Sequence, residues 1–271
     1  MKDHALEIAS RQQDPLMKLN VLREYLQTYA LRTLFERNFF RTAAFMEGTC
    51  LRLVHDLPRY SDNLHFSLLE SDSSFSIAPF ARTIREEFIL AGYDVDATVN
   101  DRKTVNHAFF RFSGIMQEAG VSTIAGQKLS IRIEVDKHPP PGAVVETGLL
   151  IRYFPISFSV YDIPSLFAGK VTAIACRRFT KGRDFFDLGW YLGKWKGLTP
   201  NTPLLRAGLK QMEWQGPMPD ENTWREFLRD MVARADWKSV EDDVRRLLIN
   251  PLDMKILSRE NILNLLRNNL G

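Results

Sequence analysis

Between residues 129 and 135 the chain reads Leu-Ser-Ile-Arg-Ile-Glu-Val, with apolar and polar residues in strict alternation. Successive side chains of an extended strand point to opposite faces. The run therefore sets Leu129, Ile131, Ile133 and Val135 against a core and Ser130, Arg132 and Glu134 on the other side. Such a strand needs neighbours for its backbone and a second layer for its apolar face. Strand-like runs at 94–99 and 107–115, the alternating stretch 62–69 and an extended run at 147–161 supply the neighbours. Helices supply the layer. Asp14 before Pro15 is a helix start, and Leu19, Leu22, Leu26, Ala30 and Leu34 recur at helical spacing over 15–38. Further helices are expected from about Gly48 and over 74–91, the latter ending at Gly92. The breaker His138-Pro-Pro-Pro-Gly142 interrupts the strands.

From Pro164 onward the pattern is helical alone, with segments at 164–180, 184–195, 202–211, 221–235, 238–249 and 257–269. The expectation is an α+β chain: a mixed sheet with flanking helices over 1–162, followed by a helical domain over 163–271. At 271 residues, 45% of them hydrophobic, there is material for a substantial core. The 36 basic and 33 acidic residues leave a net charge of +3, so any nucleic-acid contact must come from a local patch. Two isolated cysteines, Cys50 and Cys176, point to a reducing compartment and away from a disulfide framework. No apolar run approaches a membrane span, and the opening MKDHALEIASRQQD lacks the apolar centre of a signal peptide. The expected setting is the cytoplasm.

The stretch Phe45–Ser67 carries the chemistry. Gly48 and Thr49 sit at a strand-to-helix turn, where glycine lets backbone approach a phosphate and helix-terminal amides favour an anion. Farther on, Asn63 and His65 share one face of a strand while Leu64 and Phe66 take the other. Two metal-capable side chains two residues apart, beside a glycine turn, are the layout of a nucleotidyl-transferring centre in which Mg²⁺ ions clamp a triphosphate. Glu134 suits the place of a third ligand on a neighbouring strand.

The order Glu47-Gly48-Thr49, Leu51-Arg52, then Pro58-Arg59-Tyr60-Ser61-Asp62-Asn63-Leu64-His65-Phe66 resembles the signature of the AbiEii/AbiGii-type nucleotidyltransferase family, toxins of type IV toxin–antitoxin pairs. A second family block, a helix with a lysine followed by Arg-Asp-x-x-Asp, is matched by Lys170 and by Arg183-Asp184-Phe185-Phe186-Asp187. The resemblance covers most of residues 40–195. It implies a nucleotidyltransferase-like fold, a nucleoside triphosphate substrate, Mg²⁺ or Mn²⁺, an RNA (tRNA-like) or protein hydroxyl as acceptor, a cognate antitoxin and no membrane. Under it, Gly48, Thr49, Arg52, Ser61, Arg178 and Arg183 handle the nucleotide. Asn63, His65 and Glu134 take the metal places. Lys170, expected near the start of its helix, neutralises the triphosphate, and Asp184 positions or deprotonates the acceptor.

Three departures bear on activity. The first glycine of the family's pair is Glu47, and its two metal-binding aspartates are Asn63 and His65. Asparagine is a neutral oxygen ligand, and histidine a nitrogen ligand better suited to Mn²⁺, Zn²⁺ or Fe²⁺ than to Mg²⁺. A transferase with an altered metal site therefore competes with a degenerate scaffold that acts by binding a partner protein or RNA. Between Lys170 and Lys196, seven basic residues against two acids are interleaved with Phe179, Phe185, Phe186, Trp190, Tyr191 and Trp195. This could form a base-stacking surface, although helical spacing favours a core role for the aromatics.

Overall fold

The structure is a computed structural model describing residues 1–124, 126–255 and 257–268. Eleven α-helices and seven strands are found among the described residues. They run α1 (Lys2–Ser10), α2 (Pro15–Glu36), β1 (Ala43–Met46), α3 (Glu47–Val54), β2 (Asn63–Leu68), α4 (Ala78–Leu90), β3 (Asp94–Asn100), β4 (Val105–Ser113), α5 (Ile115–Glu118), β5 (Leu129–Asp136), β6 (Val145–Leu150) and β7 (Ile156–Tyr161). The helices α6 (Ile163–Cys176), α7 (Gly182–Lys194), α8 (Thr202–Gln211), α9 (Trp224–Arg234), α10 (Trp237–Arg245) and α11 (Arg259–Asn268) complete the chain. Residue 269, the last of the expected final helix, lies outside the described residues. No described helix is long and apolar enough to cross a membrane.

The strands form one mixed sheet in the order β3-β4-β5-β2-β1-β7-β6. β2 runs parallel to β5 and antiparallel to β1; β4 is antiparallel to both β3 and β5. β5 buries Leu129, Ile131, Ile133 and Val135 and leaves Ser130, Arg132 and Glu134 partly open, as its alternation requires. Against the apolar face lies α2, whose Leu22, Leu26, Ala30 and Leu34 are wholly buried. Its start is fixed by Asp14, whose Oδ2 accepts from the Met17 amide at 3.2 Å, and by Pro15 in the first turn.

Several boundaries differ from the sequence expectation for local reasons. α4 begins at Ala78, not near 74, because Asp72 accepts from both the amide and the hydroxyl of Ser74 and holds a turn there. The extended run 147–161 is two strands, interrupted before Pro155. α6 stops at Cys176, where Arg177 turns extended. α1, not foreseen, buries only Ala5 and Ala9, too sparse a stripe to read as a period.

The chain divides into two compact units. The first holds residues 1–56, 60–139 and 147–160; the second holds 57–59, 140–146 and the helices from 161 onward. In the second unit Asp162 caps α6 by accepting from the Ser165 amide at 2.9 Å, and the Ser165 hydroxyl accepts from the Val144 amide at 3.0 Å. Trp224 and Phe167 meet edge to face in its core, ring centres 5.5 Å apart.

Candidate functional site

In the first unit, β1 ends at Met46 in extended backbone and the chain reverses at once into α3 through Glu47, whose φ is +62°. This is the left-handed region, where a side chain is strained and glycine is not. Gly48 and Thr49 form the buried first turn of α3, anchored by Cys50, Leu51 and Leu53. The Thr49 hydroxyl donates to the Asn63 carbonyl and so ties α3 to the start of β2.

β2 leaves Asn63 and His65 half-buried on one face and buries Leu64 and Phe66 on the other. Its parallel neighbour β5 sets Arg132 opposite Asn63 and Glu134 opposite His65. One row of residues thus crosses four strands: Met46, His65, Glu134 and His107. His65 lies between two carboxylates, with Nε2 3.7 Å from Glu47 and Nδ1 3.6 Å from Glu134. The other Glu134 oxygen is 2.8 Å from Arg132 Nε, an ion pair without hydrogen-bond alignment. Arg132 Nη2 also lies 2.9 Å from His107 Nδ1. That nitrogen can meet the guanidinium only as an acceptor, which assigns the neutral tautomer. Burial, and next the Arg132 charge, lower the His107 pKa. No motif or spacing selects His107; only the β4–β5 register brings it here.

These residues do not fit a divalent-metal pair. Of Asn63, His65 and Glu134, only Glu134 is an anionic oxygen ligand, and its two oxygens face Arg132 and His65. Glu47 and Glu134 address opposite nitrogens of the His65 ring and do not converge on one point. No group of three His, Cys, Asp or Glu side chains among the described residues is placed to hold a metal. Mg²⁺ binds through hard, mostly carboxylate oxygens in near-octahedral array. That donor set is missing.

The one cation nominated for phosphate in this unit, Arg52, is engaged as well. Arg52 on α3 puts Nε 2.7 Å from Glu24 Oε2, and its guanidinium lies 5.1 Å from the centre of the Tyr60 ring. Arg152 takes the other Glu24 oxygen at 2.7 Å. Glu24 is only 4% exposed, so two arginines compensate one buried carboxylate. Ser61 precedes β2, and its carbonyl accepts from Gln27 Nε2 at 3.0 Å. Asp62 pairs with Arg23 at 2.9 Å.

The second unit holds the other family block. Lys170 lies in the middle of α6 and not near its start, because the helix begins at Ile163, after the Asp162 cap. It is 7% exposed, and its ammonium is 2.7 Å from Asp184 Oδ1 and 2.8 Å from Asp187 Oδ2. Asp184 sits in the first turn of α7 and has Arg177 at 3.2 Å. Asp187 receives Arg59, and burial raises its pKa less than Arg59 and Lys170 lower it, so its carboxyl stays below the usual range. Arg59 and Asp187, both quoted in the family pattern without an assigned role, are thus central to this cluster. Arg178 follows α6 with its guanidinium 5.5 Å from the centre of the exposed Phe179 ring. The Arg183 amide donates to Asp243. Phe185, Phe186 and Tyr191 are buried, Tyr191 5.0 Å from Phe167 between ring centres. These three belong to the core, not to a stacking surface; Phe179 alone of the interleaved aromatics stands well exposed.

The model of the family described as nucleotidyl transferase AbiEii toxin, type IV toxin–antitoxin system, matches residues 29–258. Two solved structures share the fold. One is from H. pylori and is described as that of a candidate nucleotidyltransferase: TM-score 0.54, 16% identity, 91% of each chain covered. The other is JHP933 from Helicobacter pylori: TM-score 0.50, 16% identity, 92% of this chain and 91% of that one covered. No curated protein matches the chain. With a family model matched over most of its length and a mixed sheet of the same fold, the chain belongs to the AbiEii nucleotidyltransferase toxin family of type IV toxin–antitoxin systems.

Proposed function

We propose that this chain is a member of its family that has lost metal-clamped nucleotidyl transfer and acts by binding a partner protein, within the toxin–antitoxin context the family implies. One observation carries the reading: Glu134 in a metal place and Arg52 and Lys170 in phosphate places already pair with opposite charges of the protein itself. Glu134 is balanced by Arg132, Arg52 by Glu24, and Lys170 by Asp184 and Asp187. Phosphoryl-type transfer gains its rate from positioning and from unspent positive charge around the phosphates. Cations that already face carboxylates, Arg52 in the first unit and Lys170 in the second, have little left to offer a triphosphate, and Glu47 adds a negative charge beside His65.

Family membership favours a second reading, transfer of a nucleotidyl group from a triphosphate to an RNA or protein hydroxyl. In that reading Gly48 and Thr49 cradle phosphate, Arg52, Ser61, Arg178 and Arg183 hold the nucleotide, and Lys170 and Asp184 serve transfer. The two are separated by incubating the protein with each α-labelled nucleoside triphosphate, total tRNA, and Mg²⁺ or Mn²⁺ in turn. The expected result is no label on RNA or protein from the parent, with Mn²⁺ binding appearing in Asn63→Asp/His65→Asp. Label transfer by the parent that disappears in Lys170→Ala would establish the second reading.

A further inference from the structure

In the second unit, one face of α9 lines a cavity of about 540 Å³, and the segment Trp214–Asp220 lines the rest of it. The helix contributes Glu226, Phe227, Asp230, Met231 and Arg234, with Thr223 just before it. These positions recur every three or four residues, so they form one continuous stripe. From 223 to 234 it runs roughly 16 Å at the rise of an α-helix. The floor is apolar and preorganised. Trp214 and Phe227 meet edge to face with ring centres 5.6 Å apart, and the Trp214 indole donates to the Pro217 carbonyl at 3.2 Å. Met218 and Met231 add adaptable apolar surface.

The charge of the groove is opposite to that of the chain. Its lining holds three carboxylates, Asp220, Glu226 and Asp230, against one guanidinium, Arg234, in a protein of net charge +3. Glu226 makes no ion pair or hydrogen bond among the described residues, and Asp230 meets Arg234 only loosely, at 3.9 Å. Asp220 already accepts from the Asn222 and Thr223 amides and the Thr223 hydroxyl, so Glu226 and Asp230 are the more available; aromatic faces ringed by carboxylates recognise cations, above all arginine, whose planar head stacks and pairs at once. A small amine would fill only one end of a groove this long. A nucleic acid would bring its phosphates against the acidic rim.

We propose that this groove docks a basic, amphipathic segment of a partner protein, its arginines or lysines meeting Glu226, Asp230 and Asp220 and its apolar residues resting on Trp214, Phe227 and the methionines. The proposal goes beyond the reading of the first unit and holds whether or not that unit transfers nucleotides.

The test is a random peptide library panned against the immobilised full chain, followed by fluorescence anisotropy of the enriched peptides. The variant is Glu226→Lys/Asp230→Lys; both positions are exposed, while Leu228 and Val232 hold the core face of α9, and circular dichroism verifies its fold. Enriched peptides should carry Arg or Lys interspersed with apolar residues. Their affinity should fall about tenfold or more in the variant and weaken with salt. Failure to enrich any sequence, enrichment of acidic or wholly apolar peptides, or undiminished binding to the variant would overturn it. So would displacement of the peptides by an RNA hairpin, or self-association of the chain that the variant abolishes, since either names a different occupant.

Discussion

Asp187 receives both arms of the Arg59 guanidinium, Nε to Oδ1 and Nη2 to Oδ2 each at 2.6 Å, and neither side chain is more than 1% exposed. The two residues are 128 positions apart. A bidentate pair of this kind, with Lys170 on the same carboxylate, fixes segment 57–59 and helices α6 and α7 around one buried charge. Asp187→Asn keeps the shape and removes the charge, leaving Arg59 and Lys170 buried without full compensation. The expected loss is about 3–5 kcal/mol by denaturant unfolding. The carboxyl is held below its ordinary range, so its contribution is complete above the unfolded value of about 4 and fades as pH falls through the folded one. The acid limb of the stability curve should therefore flatten in Asp187→Asn. A loss under about 1 kcal/mol would show that the cluster does not hold the unit together.

Gly182 opens α7 where the helix passes α10. A Cβ placed there would lie 1.9 Å from the Val240 carbonyl oxygen, and the obstacle is backbone, which cannot rotate away. Gly182→Ala should separate the two helices and cost more than the roughly 1–3 kcal/mol of ordinary overpacking. Thermal unfolding of Gly182→Ala beside Gly193→Ala, a position with open space around it, isolates the effect. Equal melting temperatures would refute the close approach.

Glu47 reverses the usual order of helix propensities. It opens α3, yet its φ of +62° lies where a Cβ is crowded. Inside an ordinary helix alanine exceeds glycine by about 1 kcal/mol. Here Glu47→Gly should be the more stable of the two by about 1 kcal/mol, because it alone relieves the strain. Both variants lose the contact with His65, which cancels in the comparison. Alanine proving the better residue would place Glu47 in right-handed backbone.

What could be read in the sequence was what depends on neighbours a few residues away. The alternation at 129–135, the Asp14-Pro15 cap and the opposite facing of Asn63–His65 and Leu64–Phe66 follow from local geometry, and the structure has them. Lys170, expected near a helix start, lies mid-helix although the helical pattern is read from 164: it comes seven residues after Ile163, where α6 begins. The electrostatic state of the site was out of reach. Whether Arg52 is available to a phosphate depends on Glu24, 28 residues earlier, and on Arg152; whether Lys170 is available depends on how α7 lies against α6. His107 enters the row of His65 and Glu134 only through strand register. Motif spacing names the residues, while tertiary pairing decides which charges remain unspent.

Burial raises the pKa of Tyr25, Tyr29, Tyr60, Tyr93 and Tyr153, and this sets an alkaline limit on the first unit. Burial is the largest cause for each; it pushes Tyr153 up to about 12, with Glu24 adding to it, and Tyr93 is also strongly raised. Tyr25 meets the ring of Tyr153 edge to face at 5.3 Å, and Tyr93 packs against Phe88 and Phe112. A phenol whose folded pKa exceeds its unfolded value of about 10 contributes stability that is intact below pH 10 and lost as pH climbs through the folded value. In a titration followed by phenolate absorbance, Tyr25, Tyr29, Tyr60, Tyr93 and Tyr153 should ionise only above the ordinary midpoint, as the first unit opens, together with loss of its circular dichroism. Tyr153→Phe retains the ring and removes the titrating group, so it should shift the alkaline transition to higher pH. These five phenols titrating reversibly near pH 10 with the fold intact would show that this cluster is open to water.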